Sequence, residues 1–191
     1  MKPSSYTVVL DACVLYPAPL RDLLMELAAG GLYRAKWTSR IHEEWTRNVL
    51  ENRPDITKEQ LERTVRLMNK AAPDANVENS DTLKPALSLP DKDDCHVLAA
   101  AIHCKAAGIV TFNLKHFPES ALSPYEIIAQ HPDEFLYHQI GLDQAGVLNG
   151  VRRIRERLKN PPITAKEYLE TLEAQGLPAT TGWLRDYATI L

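Results

Sequence analysis

A chain of 191 residues, 45% hydrophobic and 25% charged, can bury one domain core with an appendage, and this ordinary globular composition excludes disordered and fibrous classes. Its formal net charge of -3 means that a nucleic-acid partner has to be held by a local basic patch or through bound metal, not by a globally cationic surface. Cys13, Cys95 and Cys104 lack CxxC spacing and read as reduced thiols; with apolar runs too short or too interrupted for a signal segment or membrane span, they lead us to expect a cytoplasmic protein.

In chain order, "YTVVLD" is a β-branched run ending in Asp11 and predicts the first strand. "LRDLLMELAAGG" predicts a helix closed by glycines, and "YRAKWTS" a second strand. "SRIHEEWTRNVLENRP" predicts a helix with Ile41, Trp45 and Val49 on one face and a proline stop. "TKEQLERTVRLMNKAAP" opens with a capping-box pattern, Thr57 to Gln60, and carries Leu61, Val65 and Met68 as its stripe. An Asp-rich helix start, "LPDKDDCHVLAAAIHC", follows, then "GIVTFN" as a buried strand and "YEIIA" as another. Strands alternating with helices predict an α/β fold, a three-layer α/β/α sandwich around a mainly parallel sheet, over residues 1–130.

From His131 the texture changes, and residues 131–191 predict a C-terminal extension of three or four helices without a strand. Asn160-Pro161-Pro162 punctuates it, Thr164 to Glu167 is a second capping-box candidate, and Gly176 with Pro178 ends that helix. Within it, "GVRRIRERLKN" sets Arg152, Arg153, Arg155, Arg157 and Lys159 against one acid, with Val151, Ile154 and Leu158 as an anchoring stripe.

Asp91, Asp93 and Asp94 raise the first question of chemistry. Acids in a first helical turn cap unpaired N–H groups and complement the helix dipole, which accounts for one or two of them. Asp94, three and four residues before Val97 and Leu98, falls on the apolar side of the helix, where a solvated cap should not point. A zinc site from Cys95, His96, His103 and Cys104 has poor geometry, because adjacent Cys-His pairs point in different directions.

Functional groups in an open α/β sheet gather at the C-terminal ends of parallel strands. Asp11 and Asn113 end strands, Glu43 and Glu44 lie in the helix after the second strand, and the Asp triplet begins the helix before "IVTF". Carboxylates packed together repel unless a divalent cation neutralises them, and oxygen-only ligands suit magnesium or manganese. Such an ion can activate a hydrolytic water at a phosphodiester without a nucleophilic Ser or Cys.

"VVLDACVLYP", "TSRIHEEW", "LPDKDDCHVLAAAI" and "IVTFNLKHFP", in this order and at these separations, resemble the four signature segments of the PIN domain, and specifically of the VapC-like ribonuclease toxins of bacterial toxin-antitoxin systems. The resemblance covers residues 5–130 and implies a metal-dependent endoribonuclease acting on RNA, a cognate antitoxin, and room for a homodimer. It places the first three acids, as Mg or Mn ligands, on Asp11, Glu44 and Asp94, and the fourth acidic position on Asn113, a departure from the commonest pattern. Glu44 is favoured over Glu43 because it lies nearer the buried stripe of Ile41 and Trp45, whereas Glu43 shares a face with Arg47 and can pair with it. Asp91 is then a cap and Asp93 an auxiliary acid. The tail, with "HPDEFL" and "RLKNPP", is similar to the helical extension of one VapC-like subgroup, where Arg152, Arg153 and Arg155 become candidates for contact with RNA phosphates or an acidic antitoxin segment.

Two other readings compete. A haloacid-dehalogenase-type phosphotransferase needs an acid two residues after its strand-end Asp, where this chain has Cys13. A PIN-like module lacking the fourth acid could bind RNA or a protein without cutting.

Overall fold

The computed structural model describes residues 6–191. Four strands, β1 (Thr7–Leu10), β2 (Arg34–Lys36), β3 (Gly108–Val110) and β4 (Ile128–Gln130), form one sheet in the order β2-β1-β3-β4, with every pairing parallel. Val8, Val9, Leu10, Ile109 and Val110 are fully buried, so the inner strands read as continuous apolar runs instead of alternating ones.

α1 (Ala12–Leu15) and α2 (Ala18–Ala29) connect β1 to β2. α3 (Ser39–Asn52) follows β2, α4 (Lys58–Ala71) packs on it, and α5 (Cys95–His103) leads into β3. Helices cover both faces of the sheet, which makes the three-layer α/β/α arrangement. α3 forms because Thr38 accepts a hydrogen bond from the Ile41 N–H, and it buries Ile41, Trp45 and Val49 as the spacing predicts. The capping box at Thr57 is present in full.

The fourth strand departs from its sequence reading. "YEIIA" extends only from Ile128, because Ser123–Tyr125 closes a 3-10 turn after the short α6 (Glu119–Leu122) and Glu126 adopts a left-handed φ of 57°. The second strand is likewise shorter than "YRAKWTS", and Trp37 instead bridges to Asn76.

Residues beyond β4 form α7 (Pro132–Leu142), α8 (Gln144–Arg157), α9 (Ala165–Glu173) and α10 (Pro178–Arg185). They do not hang free, since one continuous apolar core runs from Val8 through Phe135, Val151 and Leu172 to Leu184. α8 crosses α2 at close range: a Cβ on Gly150 would lie 2.9 Å from Leu27 Cδ2. α10 lacks a cap of its own, and the buried Asp133 supplies one by accepting from the N–H groups of Ala179 and Thr180, both at 2.8 Å. No helix among the described residues is long and apolar enough to cross a membrane.

Candidate functional site

A cleft of about 550 Å³ opens at the C-terminal edge of the sheet, lined by Asp11, Cys13, Asp93, Asp94, Asn113 and a row of α3 residues that includes Glu43 and Glu44. Four separate chain segments meet there, as the topology requires of residues at the ends of β1 and β3 and at the starts of α3 and α5.

Asp11 is buried and held from three sides. It accepts from the Ala12 N–H at 2.7 Å, from the Thr111 hydroxyl at 2.6 Å, and from the Cys13 thiol at 3.1 Å. Burial, reinforced by the Asp11 charge, pushes the Cys13 thiol up to about 12, so Cys13 stays a neutral donor. Thr111 also accepts from the Asn113 N–H at 3.0 Å, which couples the end of β3 to the end of β1.

The Asp triplet divides by position. A 3-10 turn, Lys92–Asp94, precedes α5; Asp91 caps that turn by accepting from the Asp93 N–H at 2.9 Å. Asp94 therefore sits one residue ahead of α5, not within it, and makes no cap hydrogen bond. Its carboxylate lies 2.7 Å from His116 Nδ1. Burial raises the Asp94 carboxyl above its ordinary value, with repulsion from Asp11 and Asp91 acting the same way and His116 opposing.

Glu44 behaves oppositely. Its burial raises its carboxyl, but His96 and Arg40 outweigh that and hold it below the usual range. Arg40 Nε is 3.1 Å away and His96 Nε2 is 3.0 Å away. His96 Nε2 meets no hydrogen-bond partner there, so it is a close polar contact to Glu44 and not a hydrogen bond. Glu43 is exposed and lines the cleft; its expected pairing with Arg47 is not formed. Asn113 lines the cleft without capping its own turn, Leu114–His116, through its side chain.

Asp11, Glu44 and Asp94 share the cleft but do not form the tightest ligand-like group. Among the described residues that group is Asp91, Asp94 and His116, with ligand atoms within 4.8 Å of one another. Sequence reading passed over His116, although "NLKHF" places it three residues beyond Asn113 in the strand-end turn. Cys95, His96, His103 and Cys104, weighed for zinc, form no such group among the described residues.

Arg152, Arg153 and Arg155 do not line the cleft. Arg153 and Arg157 both donate to Glu26 of α2 at 2.6 Å, and Arg155 donates to the Leu191 carbonyl. Among the described residues, Arg152 engages only Asn149 and Glu156 on its own helix. The anchoring stripe, with Val151 and Ile154 buried, places Arg153 and Arg157 on the α2–α8 seam.

The PIN-domain family model matches residues 7–115, more than half of the chain. The chain belongs to the PIN-domain family. Residues 132–186 match the model described as the VapC50 C-terminal domain. A curated relative, "Putative ribonuclease VapC50" of Mycobacterium tuberculosis, is 44% identical over 82 residues. That segment covers 43% of this chain and 48% of the relative, so the comparison spans about half of each. No solved structure matches.

Proposed function

We propose that this PIN-domain chain is an endoribonuclease that hydrolyses RNA phosphodiester bonds with Mg or Mn and serves as the toxin of a toxin-antitoxin pair. The observation that carries the reading is the convergence of Asp11, Glu44, Asp94 and Asn113, from four segments, on one cleft at the C-terminal sheet edge. The similarity to a relative named as a ribonuclease supports the substrate class.

The donor set fits a hard divalent cation: three carboxylates and an amide offer ligand oxygens, and the Asp94 carboxyl is raised by burial first and then by repulsion from Asp11 and Asp91, the part that a cation relieves. Asp11, Glu44 and Asp94 would hold the ion, which when bound activates a hydrolytic water and offsets charge on the phosphate. Asp11 arrives pre-oriented by Thr111, Ala12 and Cys13, so no rotamer freedom is left to lose there. His116 aims the Asp94 carboxylate, and Arg40 with His96 aims that of Glu44. Asp93 and Glu43 at the rim would add potential that draws in the cation, while Asp91 maintains the turn. Asn113 can offer its carbonyl oxygen without a further charge.

We assign residues 1–130 to the nuclease domain and 131–191 to a helical extension, a division supported by the two family matches, 7–115 and 132–186. The same reading places the protein in the cytoplasm with its RNA and antitoxin, in keeping with free Cys13, Cys95 and Cys104.

Incubating purified protein with single-stranded RNA and magnesium or manganese tests the proposal. Cleavage that EDTA and Asp94→Asn both abolish supports it. Cleavage persisting in excess EDTA, or in Asp94→Asn, overturns the metal-site assignment, and RNA binding without cleavage by the wild type selects the non-catalytic module.

A further inference from the structure

α3 presents Arg40, Glu43, Glu44, Arg47 and Asn48 to the cleft, a stripe at the spacing that puts residues on one helical face. The two arginines stand out because five carboxylates, Asp11, Glu43, Glu44, Asp93 and Asp94, line the same space. A polyanion entering such a cleft meets repulsion that one divalent cation only partly cancels. Arg40 gives its Nε to Glu44 at 3.1 Å, and its terminal nitrogens engage no other group among the described residues. Arg47 is exposed and engages no acid or carbonyl among the described residues, although Glu43 sits one turn away. The arginines of α8, in contrast, are turned to Glu26, to Leu191 and to their own helix.

Resting on the nuclease reading above, we propose that Arg40 and Arg47 form the phosphate-binding wall of the cleft, gripping a single RNA strand on either side of the carboxylate cluster. Seven residues of helix separate their Cα atoms by roughly 10 Å along the axis, so they address different phosphates of one strand. A guanidinium carries five N–H donors in a planar fork, which lets Arg40 brace Glu44 with one edge and face a phosphate oxygen with another. Arg47 has no such second duty and is the pure substrate contact. The local basic patch that a chain of net charge -3 can use for RNA is then inside the cleft, not on the extension.

The test measures binding of a labelled single-stranded RNA by fluorescence anisotropy over a salt series, with magnesium constant and in an Asp94→Asn background so that the RNA stays intact. Arg47→Gln should weaken binding to unrelated sequences alike and reduce the slope of log K against log salt by about 0.7, the value for one lost single-strand phosphate contact. Arg47→Lys should restore most of the slope, and Arg152→Gln, the same charge change on α8, should leave it as it was. An unchanged slope in Arg47→Gln, or an equal loss in Arg152→Gln, overturns the proposal. Cleavage by the wild type is scored separately: a cleaving enzyme with an unchanged Arg47→Gln slope refutes the arginine wall alone, and a flattened slope in a protein that never cleaves refutes the nuclease reading alone.

Discussion

His116 Nδ1 lies 2.7 Å from Asp94 Oδ2, and the same nitrogen is 3.7 Å from Asp91. This contact offsets part of the burial and repulsion that raise the Asp94 carboxyl, so it favours the ionised form of a would-be metal ligand. Removing it in His116→Ala lets the Asp94 carboxyl rise further. We expect a loss of about 10- to 100-fold in metal affinity or activity, the usual range for groups that orient a ligand. The acid limb of the kcat/KM profile should also move to higher pH, because protonated Asp94 cannot bind the ion. An unmoved acid limb in His116→Ala means that His116 does not act through Asp94.

Asp94 and Glu44 should affect stability with opposite signs in metal-free protein. Asp94 is raised on folding, so the folded state holds its proton more tightly; its ionised form costs stability above the folded pKa, and that cost is relieved as pH falls toward the unfolded value of 3.8. Glu44 is lowered by His96 and Arg40, so its contribution is present above the unfolded value of 4.5 and is lost as pH falls through the folded one. Melts at neutral pH in EDTA should therefore show Asp94→Asn raising Tm and Glu44→Gln lowering it. In a chain of this length, a shift of about 2 to 4 °C corresponds to about 1 kcal/mol. Equal shifts of one sign contradict the assignment. Removing an acid should relieve repulsion at Asp94 but not at Glu44, whose charge is already compensated by His96 and Arg40.

What the sequence made legible follows from how local each signal is. Asp11, Asp94 and Asn113 stand at strand ends or just ahead of a helix, and topology alone delivers them to one edge. The caps at Thr57 and Thr164 use residues three apart, so composition reveals them directly. The partners of α8 were hidden because Glu26 is 127 residues away from Arg153, and no period encodes such a meeting. The late start of β4 is not legible, because a left-handed Glu126 is an uncommon conformation for that residue type. The Arg40–Glu44 pair is a local i,i+4 spacing, whereas His116 matters through Asp94, a carboxylate brought to it by another segment.

The α2–α8 seam gives a prediction about stability and none about RNA. Glu26 accepts from both Arg153 and Arg157 at 2.6 Å, and its side chain is 12% exposed while theirs are 49% and 61% exposed. Arg153→Gln or Arg157→Gln alone should cost about 0.5 to 1 kcal/mol, as half-exposed pairs do. The double variant should cost more than the two singles together, because the enclosed Glu26 carboxylate is then left without a partner. Urea melts of the three variants check this, and strict additivity contradicts it.

Gly150 allows that seam to close. Any Cβ there would lie 2.9 Å from Leu27 Cδ2, so α8 must shift or Leu27 must leave its rotamer. Gly150→Val should destabilise by about 1 to 3 kcal/mol, whereas Gly182→Ala on α10, where a Cβ meets nothing within 4 Å, should be neutral or stabilising. A Gly150→Val variant as stable as wild type would mean that the helices are not in close contact.

Asn113 puts an amide in the cleft at the position where the resemblance to the family expects an acid. Its backbone carbonyl accepts from the His116 N–H at 2.9 Å, which organises the turn, but its side chain makes no cap bond and lines the cleft instead. The amide carbonyl can meet a cation or a water on it without adding to the charge of Asp11 and Asp94. Asn113→Ala should therefore cost about 10- to 100-fold in metal affinity or activity while leaving Tm nearly unchanged, because the turn rests on the backbone. Asn113→Asp brings a fourth carboxylate into the same volume. It should tighten binding of the ion and, without it, raise the neighbouring acids and lower Tm at neutral pH, a cost that magnesium reverses. Activity and Tm titrated against magnesium for wild type, Asn113→Ala and Asn113→Asp separate the roles. Superimposable activity curves with altered Tm alone would assign Asn113 to the turn, and a magnesium-dependent Tm gain largest in Asn113→Asp would place its side chain beside the ion.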